Sequence, residues 1–284
     1  MENDQMPQNR RSVLCIAAGV AAATAVALLA DERFDSPAAG PAGPSAAPAL
    51  GGPQAGTVST VRKSSAYRLQ PMTAFAPARL ARGTTPVRQQ AFVRMPGLGR
   101  SMVLTFDDGP DPRWTPQILK TLRLHGVRAM FFVCGEMAVQ NRDLLREMAD
   151  DGHVVGNHSW SHPLLPELAP ARVRDELGRT SEVIERTLGT PPLWYRAPYG
   201  AWDRHSFAIG AELGMEPVAW TIDTLDWCEP GTGIIVGRVM DGAEPGAIVL
   251  SHDAGGDRSQ SVAALSRYLP KLLQAGYRIK VPTR

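Results

Sequence analysis

The sequence predicts an α/β fold in which parallel strands are covered by helices. From Ser101 onward, seven short apolar runs alternate with segments that have helical periodicity. The runs are MVLTF, VRAMFFV, HVVGNHS, LWYRAP, MEPVAWTI, GAIVLSH and YRIKV. Alternating strands and helices are typical of a parallel sheet, either open or closed into a barrel. In both arrangements functional residues lie at the carboxyl ends of the strands.

Residues 1–34 are predicted to be a signal peptide or an N-terminal membrane anchor. Arg10 and Arg11 precede an apolar run from Val13 to Ala30, which is typical of an export signal. The run has about the minimum length that spans a bilayer, so cleavage and retention both stay open. The stretch NRRSVLC is loosely similar to a twin-arginine signal. We expect an extracellular protein, secreted or anchored at the outer face of the membrane, that contacts a membrane only through this segment.

Residues 35–98 are predicted to be a disordered linker. The part from Asp35 to Gly56 consists mainly of Pro, Ala and Gly and has too few large apolar side chains to offset the entropy of ordering. The part after it is basic and has no period, so wall or membrane-surface affinity and a plain solvated tail are both open. The formal net charge of +2 provides no basic face for nucleic acid. Residues 99–284 are then one domain, which we expect to be monomeric.

Helical periodicity is found in six segments of this domain. They are Thr115–His125, Asn141–Asp150, Pro170–Leu188, Arg204–Leu213, Gly233–Met240 and Ser261–Ala275. Pro116 suits the first turn of the first helix. The third helix alternates charges with apolar residues such as Val173, Leu177 and Ile184. Each helix therefore has an apolar face that can cover the sheet.

Polar residues repeatedly follow the ends of the apolar runs. These residues are Asp107, Asp108, His158, Arg196, Asp223, Asp226, His252 and Asp253. Random surface side chains would not gather at one end of successive strands. The sequence therefore predicts a functional site at the carboxyl edge of the sheet.

Asp108, His158 and His162 are candidate metal ligands. The four-residue spacing in NHSWSH lets two imidazoles face one cation. With Asp108 they make a set of two nitrogens and one oxygen that leaves positions open, as catalytic sites do. The neighbouring Asp107 points in another direction along extended chain and can take a proton from metal-bound water. A simple turn is the alternative for DDGP, but it leaves the paired charges unexplained.

His252 is a candidate general acid for a leaving group, because histidine changes its charge near neutral pH. Such a histidine needs a carboxylate to orient it, and Asp226 in DTLDW is a candidate. Arg196 can pair with a catalytic carboxylate and keep it ionised, although a structural ion pair is the more common role of such an arginine.

Five segments in order, TFDDGP, HSWSH, RAPYG, DTLDW and LSHD, resemble the polysaccharide deacetylases of the NodB-homology type, carbohydrate esterase family 4. The resemblance extends from about Ser101 to Lys280. It implies a distorted (β/α) barrel, often with seven strands. It also implies a divalent metal, usually zinc and in some members cobalt or nickel, held by Asp108, His158 and His162.

The resemblance also implies a role for each remaining motif residue. Asp107 is the general base and is positioned by Arg196, and His252 is the general acid and is oriented by Asp226. Three residues contact the substrate: the backbone amide of Tyr199 stabilises the oxyanion, and Trp227 and Leu250 line a pocket for the acetyl methyl group.

The function implied is removal of N-linked acetyl groups from N-acetylglucosamine units of an exported glycan of the peptidoglycan or chitin type. An acetyl-xylan esterase would use the same machinery on an ester. An amidase for small cyclic amides is a more distant alternative, which the exported architecture disfavours. A catalytically inactive carbohydrate-binding module would be recognised by loss of Asp107 or His252, and both are present. After export, Cys134 and Cys228 can either pair or remain separate.

Overall fold

The computed structural model describes residues 85–97 and 99–282. The predicted signal or anchor and most of the predicted linker lie outside the described residues. None of the helices in the described part of the chain combines the length and the apolar character needed to cross a membrane.

Eight strands and seven α-helices alternate along the described chain. The strands are β1 (Ser101–Asp107), β2 (Met130–Val133), β3 (Val154–Asn157), β4 (Trp194–Tyr195), β5 (Glu216–Pro217), β6 (Ile222–Asp223), β7 (Ile248–His252) and β8 (Arg278–Ile279). The helices are α1 (Thr115–Leu124), α2 (Gly135–Gln140), α3 (Arg142–Asp150), α4 (Pro170–Leu188), α5 (Arg204–Glu212), α6 (Thr232–Asp241) and α7 (Ser259–Gln274). Only α2 has no counterpart among the six predicted helices, because it is too short to show a period.

Seven strands form one curled parallel path in the order β5-β4-β3-β2-β1-β7-β6, and β8 pairs with β1 outside this path. Every strand pair is parallel. The α/β class and the distorted seven-stranded barrel are therefore confirmed. All carboxyl ends point to one edge, with β1 at the centre of the path.

The fifth apolar run contains two strands where the sequence pattern predicted one. β5 pairs with β4, whereas β6 pairs with β7, so the chain crosses from one end of the path to the other between them. The N–H of Val218 donates to the carbonyl of Tyr195, and the N–H of Thr221 donates to the carbonyl of Ile248, each at 2.9 Å. This crossing connects the two ends of the curled sheet.

Successive residues of β1 face opposite sides of the sheet. Leu104 and Phe106 pack with the helices in the larger apolar cluster, while Val103 belongs to a separate cluster on the inner face. Thr105 and Asp107 follow Val103 at the two-residue period of a strand. The inner face of β1 therefore changes from apolar to charged toward its carboxyl end.

The described residues before position 99 pack onto the barrel. Phe92 bridges to Val218, Arg94 bridges to Ala247, and Met95 is 5% exposed. The predicted linker boundary at residue 98 is therefore wrong for residues 85–97. The apolar residues in this segment are too widely spaced to show a strand or helix period, which is why the pattern did not reveal them.

Cys134 is a buried free thiol, so it does not pair with Cys228. Its Sγ lies 3.8 Å from the carbonyl oxygen of His158. Burial raises the pKa of this thiol, with nearby carboxylates adding to the shift, so the group stays protonated and unreactive.

Candidate active site

The two adjacent aspartates at the end of β1 take different directions. Asp107 is the last residue of the strand and is 2% exposed on its inner face. Asp108 leaves the strand with a left-handed φ of 77°. The paired carboxylates are separated, as predicted, but the cause is the left-handed turn at Asp108 rather than alternation along an extended chain, and each carboxylate has its own partners.

Arg196 holds Asp107 in place. Its Nη1 donates to Asp107 Oδ1 at 2.7 Å and to Thr105 Oγ1 at 2.9 Å. Its remaining donors reach the carbonyls of Val218 and Ala219. Burial raises the pKa of Asp107 to about 6, and the neighbouring guanidinium opposes that rise. Asp107 is thus ionised at neutral pH and is able to accept a proton.

Asp108, His158 and His162 form a cluster whose ligand atoms lie within 4.8 Å of one another. Nε2 of His158 and Nε2 of His162 lie 3.5 and 3.4 Å from Asp108 Oδ1. Nδ1 of His158 donates to the carbonyl of Arg196 at 2.8 Å, which leaves the Nε2 lone pair free. The predicted ligand set is therefore assembled in space.

The protonation states of the cluster suit a cation. Burial lowers the pKa of His158 and of His162 to about 4, so both rings are neutral at pH 7. Burial alone would raise the pKa of Asp108, but the nearby His162 and His252 imidazoles lower it to about 2. Asp108 Oδ1 is buried and has no hydrogen-bond partner among the described residues. A buried, ionised oxygen without a donor, next to two free imidazole nitrogens, fits a divalent cation.

His252 and Asp226 form a tightly bonded pair. His252 Nδ1 lies 2.6 Å from Asp226 Oδ1, and the backbone N–H of His252 donates to Oδ2 at 2.9 Å. Ser261 Oγ donates to the same Oδ2 at 2.6 Å. Burial lowers the pKa of His252, but Asp226 outweighs it and the pKa rises to about 9. His252 is therefore protonated at neutral pH, with its Nε2–H free to be donated.

Two of these titratable side chains lie on neighbouring strands. Asp107 on β1 and His252 on β7 are direct register partners. Since adjacent strands are about 4.8 Å apart, a group that accepts a proton lies beside a group that donates one.

The three predicted substrate-contacting residues lie on elements that also carry site residues or contact them. Leu250 is buried on β7, two residues before His252 and on the same face of the strand. Trp227 is partly buried in the short 3₁₀ turn that begins at Asp226. Tyr199 is 63% exposed, and its ring centroid lies 4.6 Å from that of His162.

Comparison with known proteins shows where this arrangement belongs. Residues 95–218 match the family model for polysaccharide deacetylase. The chain is 41% identical over 192 residues to a chitooligosaccharide deacetylase of Bradyrhizobium sp. (strain ANU 289), covering 63% of this chain and 88% of that one. The chain belongs to the polysaccharide deacetylase family.

Two solved structures of this family have the same fold. One is a peptidoglycan N-acetylglucosamine deacetylase in complex with 4-naphthalen-1-yl-N-oxidanyl-benzamide, at a TM-score of 0.64 and 35% identity, with 67% of this chain and 89% of that one covered. The other is a pseudoenzyme of carbohydrate esterase family 4 from Bacillus anthracis, at a TM-score of 0.60 and 31% identity, with 64% and 63% covered. Because a pseudoenzyme has this fold, activity has to be argued from the side chains of the site.

Three buried charged residues next to the site have no role assigned from the sequence, although Asp253 was among the polar residues at the strand ends. Asp253 accepts from the N–H of Gly109 at 3.1 Å and from a threonine hydroxyl of α1. Arg258 is 2% exposed and donates to backbone carbonyls, including those of Ala254 and Asp226. Glu176 lies on α4 and is 3% exposed.

Of the other two, Glu176 carries a signal that a sequence pattern can reveal. It occupies the same helical face as Val173, Leu177 and Thr180, and that face is buried. A charged residue in an apolar stripe needs a polar partner elsewhere in the fold.

Proposed function

We propose that this chain removes N-linked acetyl groups from N-acetylglucosamine units of an extracellular polysaccharide and releases acetate. The observation that carries the proposal is the register pairing of Asp107 with His252 beside the Asp108, His158 and His162 cluster. Amide hydrolysis requires a proton to leave water and another to reach the departing nitrogen. Asp107 is ionised and can accept the first proton, and His252 is protonated and can donate the second.

Asp108, His158 and His162 would hold a divalent ion, for which zinc is the first candidate and cobalt or nickel are alternatives. When bound there, such an ion supplies Lewis-acid polarisation of a carbonyl and a lower pKa for a water molecule. The protein prepares this site by keeping both imidazoles neutral and Asp108 ionised.

Asp107 acts as the proton acceptor in this proposal. Its carboxylate takes a proton from the attacking water as the new C–O bond forms at the acetyl carbon. Arg196 fixes one carboxylate oxygen, so the other is aimed at the reacting water. The backbone N–H of Tyr199 would donate to the oxyanion of the tetrahedral adduct.

His252 acts as the proton donor. As the C–N bond breaks, its Nε2–H protonates the amine nitrogen, which leaves poorly as an anion. Asp226 binds Nδ1, which fixes the ring orientation and stabilises the imidazolium before transfer. One water and one amide thus yield one acetic acid and one amine, with a proton moved from water to Asp107 and another from His252 to nitrogen. Acetic acid releases its proton to solvent as acetate, and loss of the proton from Asp107 and uptake of one by His252 restore the starting protonation states.

The substrate class is supported by two apolar residues near His252 in the chain and by the relatives. Leu250 lies two residues before His252 on β7, and Trp227 follows Asp226 in the 3₁₀ turn, and in this proposal both line the pocket for the acetyl methyl group. A similar chain from Bradyrhizobium sp. is a chitooligosaccharide deacetylase, and a similar solved structure is a peptidoglycan deacetylase. Polymers containing N-acetylglucosamine are therefore the proposed substrates.

We also propose that the protein acts outside the cell. Support comes from the basic pair and apolar run of residues 10–30 and from the Pro/Ala/Gly-rich stretch that follows them. A tethered or secreted deacetylase would reach a cell-wall glycan, which favours peptidoglycan. Cell fractionation with an antibody to the domain tests this placement, and cytosolic recovery of the whole pool would contradict it.

The activity is tested by acetate release from N-acetylchitooligosaccharide, peptidoglycan and acetylated xylan in parallel. The purified protein is loaded with zinc or cobalt, and the controls are a chelated sample and Asp107→Asn. We expect chelator-sensitive release from the two N-acetylated glycans and none from Asp107→Asn, which should still bind metal.

Two other results would change the assignment. Release from xylan alone would make the protein an O-acetyl esterase with the same site. Metal binding without release from any of the three substrates would reject the proposed activity and favour a binding role.

A further inference from the structure

The loop between the two histidine ligands has an unusual backbone conformation. Ser159 and His162 have left-handed φ angles of 67° and 59°, which residues other than glycine adopt at a cost. The loop therefore needs external bonds to stay in the conformation that turns both imidazoles toward Asp108.

One bond comes from the strand before the loop. Asn157, the last residue of β3, accepts from the N–H of Ser159 at 2.8 Å. Its amide also donates to the carbonyl of Leu177 and to Ser181 on α4. The start of the loop is thus attached to that helix.

The middle of the loop is held by Glu176 of α4. Glu176 Oε2 accepts from the backbone N–H groups of Trp160 and Ser161, each at 2.8 Å. Oε1 accepts from the Ser161 hydroxyl at 3.0 Å. All three donors belong to the two residues at the centre of the loop, and Arg179 covers the Trp160 ring from the same helix at 3.8 Å.

Because Glu176 accepts all three bonds from a buried position, its removal takes away the only acceptor that the described residues offer these donors and leaves a space in place of a fixed carboxylate. The loop would then spend part of its time in conformations in which His162 does not face Asp108. A metal that binds one conformation loses affinity in proportion to the fraction of molecules in that conformation.

We propose that Glu176 is a positioning residue that sets metal affinity by holding the loop from His158 to His162 in its ligand-binding conformation. The inference rests on the proposed function in one respect, namely that the cluster binds a divalent metal. Glu176 acts through the loop backbone and not by contact with the metal or the substrate.

The test measures Co²⁺ affinity by visible absorption of the bound ion, in the intact protein at a temperature where every variant is folded by circular dichroism. We expect Glu176→Ala to raise the Kd for Co²⁺ by about tenfold or more, the range typical of outer-shell partners. Glu176→Gln should stay within about threefold of the parent, because its amide oxygen can still accept both N–H groups. Glu182→Ala is the matched control, since Glu182 is on the same helix, exposed and paired only with Arg186 among the described residues.

Several outcomes would overturn the inference. A Kd for Glu176→Ala equal to the parent's, with only the free energy of unfolding reduced, would show that Glu176 merely stabilises the fold. A loss in Glu176→Gln as large as in Glu176→Ala would show that the charge matters rather than the accepted N–H groups. If Glu176→Ala does not fold, Glu176→Leu preserves side-chain volume without an acceptor, and unchanged affinity in that variant would also reject the role.

Activity is recorded separately, so that the two proposals can fail independently. A parent that binds Co²⁺ but releases no acetate, together with a weakened Glu176→Ala, would keep this inference and reject the deacetylase activity. If the parent is active and its Glu176→Ala variant binds Co²⁺ as tightly as the parent, the deacetylase activity is kept and the role of Glu176 is rejected.

Discussion

Arg196 connects the two halves of the site within one residue. Its side chain binds the carboxylate of Asp107, while its backbone carbonyl accepts from the ring of His158. Any shift of Arg196 therefore moves Asp107, the proposed proton acceptor, and His158, a proposed metal ligand, together. Lysine cannot replace Arg196, because its single ammonium group does not provide the several donors that the planar guanidinium directs at Asp107, Thr105 and two backbone carbonyls.

In the proposed mechanism the pair of His252 and Asp226 sets the alkaline limit of activity. In Asp226→Asn the carboxylate that raises the pKa of His252 is gone, while burial, which lowers it, remains. His252 then loses its proton at lower pH, so the alkaline limb of kcat/KM should move to lower pH and activity at pH 8 should fall by about tenfold or more.

The measurement is a pH profile of acetate release for the parent and the variant. Asp143→Asn is the control, because Asp143 is an exposed carboxylate that pairs only with Arg146 among the described residues. An alkaline limb at the same pH in Asp226→Asn and the parent would show that His252 is not the proton donor, or that Asp226 does not tune it.

At the scale of elements, the loop from β1 to α1 fits against the end of β7 without spare room. A Cβ added to Gly109 would lie 2.2 Å from a carboxylate oxygen of Asp253, which is itself bonded to Thr115 on α1. The backbone N–H of Asp253 also donates to the carbonyl of Asp107 at 3.0 Å. The position of the acidic pair thus depends on a close approach that only glycine permits.

Gly109→Ala and Gly178→Ala should have opposite effects. The first should lower the free energy of unfolding by about 1–3 kcal/mol, as overpacking does, and should also weaken metal binding through Asp108. The second adds a methyl group on α4 where nothing lies within 4 Å, and it should raise the free energy of unfolding by about 0.5–1 kcal/mol. Urea unfolding of both variants checks the signs, and equal stability of Gly109→Ala and the parent would contradict the close approach.

At the scale of the whole molecule, the domain begins earlier than the apolar runs indicate. Phe92 and Met95 pack with Val103 and Val218 in the inner apolar cluster. The segment also accepts a hydrogen bond from Thr221, at the crossing between β5 and β6. It therefore covers the inner face of the sheet next to the crossing between β5 and β6.

A chain that starts at residue 99 should be less stable than one that starts at residue 85. Loss of the packing of Phe92 and Met95 should lower the free energy of unfolding by about 3 kcal/mol or more. The two chains are compared by urea unfolding, with substitution of the exposed Val87 by Ala in the longer chain as a control. Equal midpoints would mean that residue 99 is a sufficient boundary.

The sequence predicted the parts of the site that lie at strand ends. Asp107, Asp108 and His252 follow apolar runs, and parallel strands bring their carboxyl ends to one edge, so their proximity could be foreseen. Contacts that depend on how a helix sits on the sheet could not be foreseen. Glu176 reaches the histidine loop only because α4 packs against β3, and Asp253 reaches Gly109 only through the pairing of β7 with β1.

The crossing between β5 and β6 escaped prediction for a similar reason. MEPVAWTI is a continuous apolar run, and continuity of burial does not reveal that its two ends pair with different strands. Residues 85–97 were assigned to the linker because two buried side chains in a short segment form no period. In both cases the segment pairs with strands that are distant in the sequence, and a local pattern does not reveal such pairing.

β1 has one more consequence, which concerns how the protein loses activity. All seven of its residues are buried, and β2, β7 and β8 all bond to it, while Asp107 is its last residue. Backbone amides in such a central strand exchange with solvent only when the entire domain opens. We therefore expect heat inactivation and global unfolding to occur at the same temperature. A molecule in which β1 has unfolded has lost Asp107 from the site, even if the outer helices remain folded.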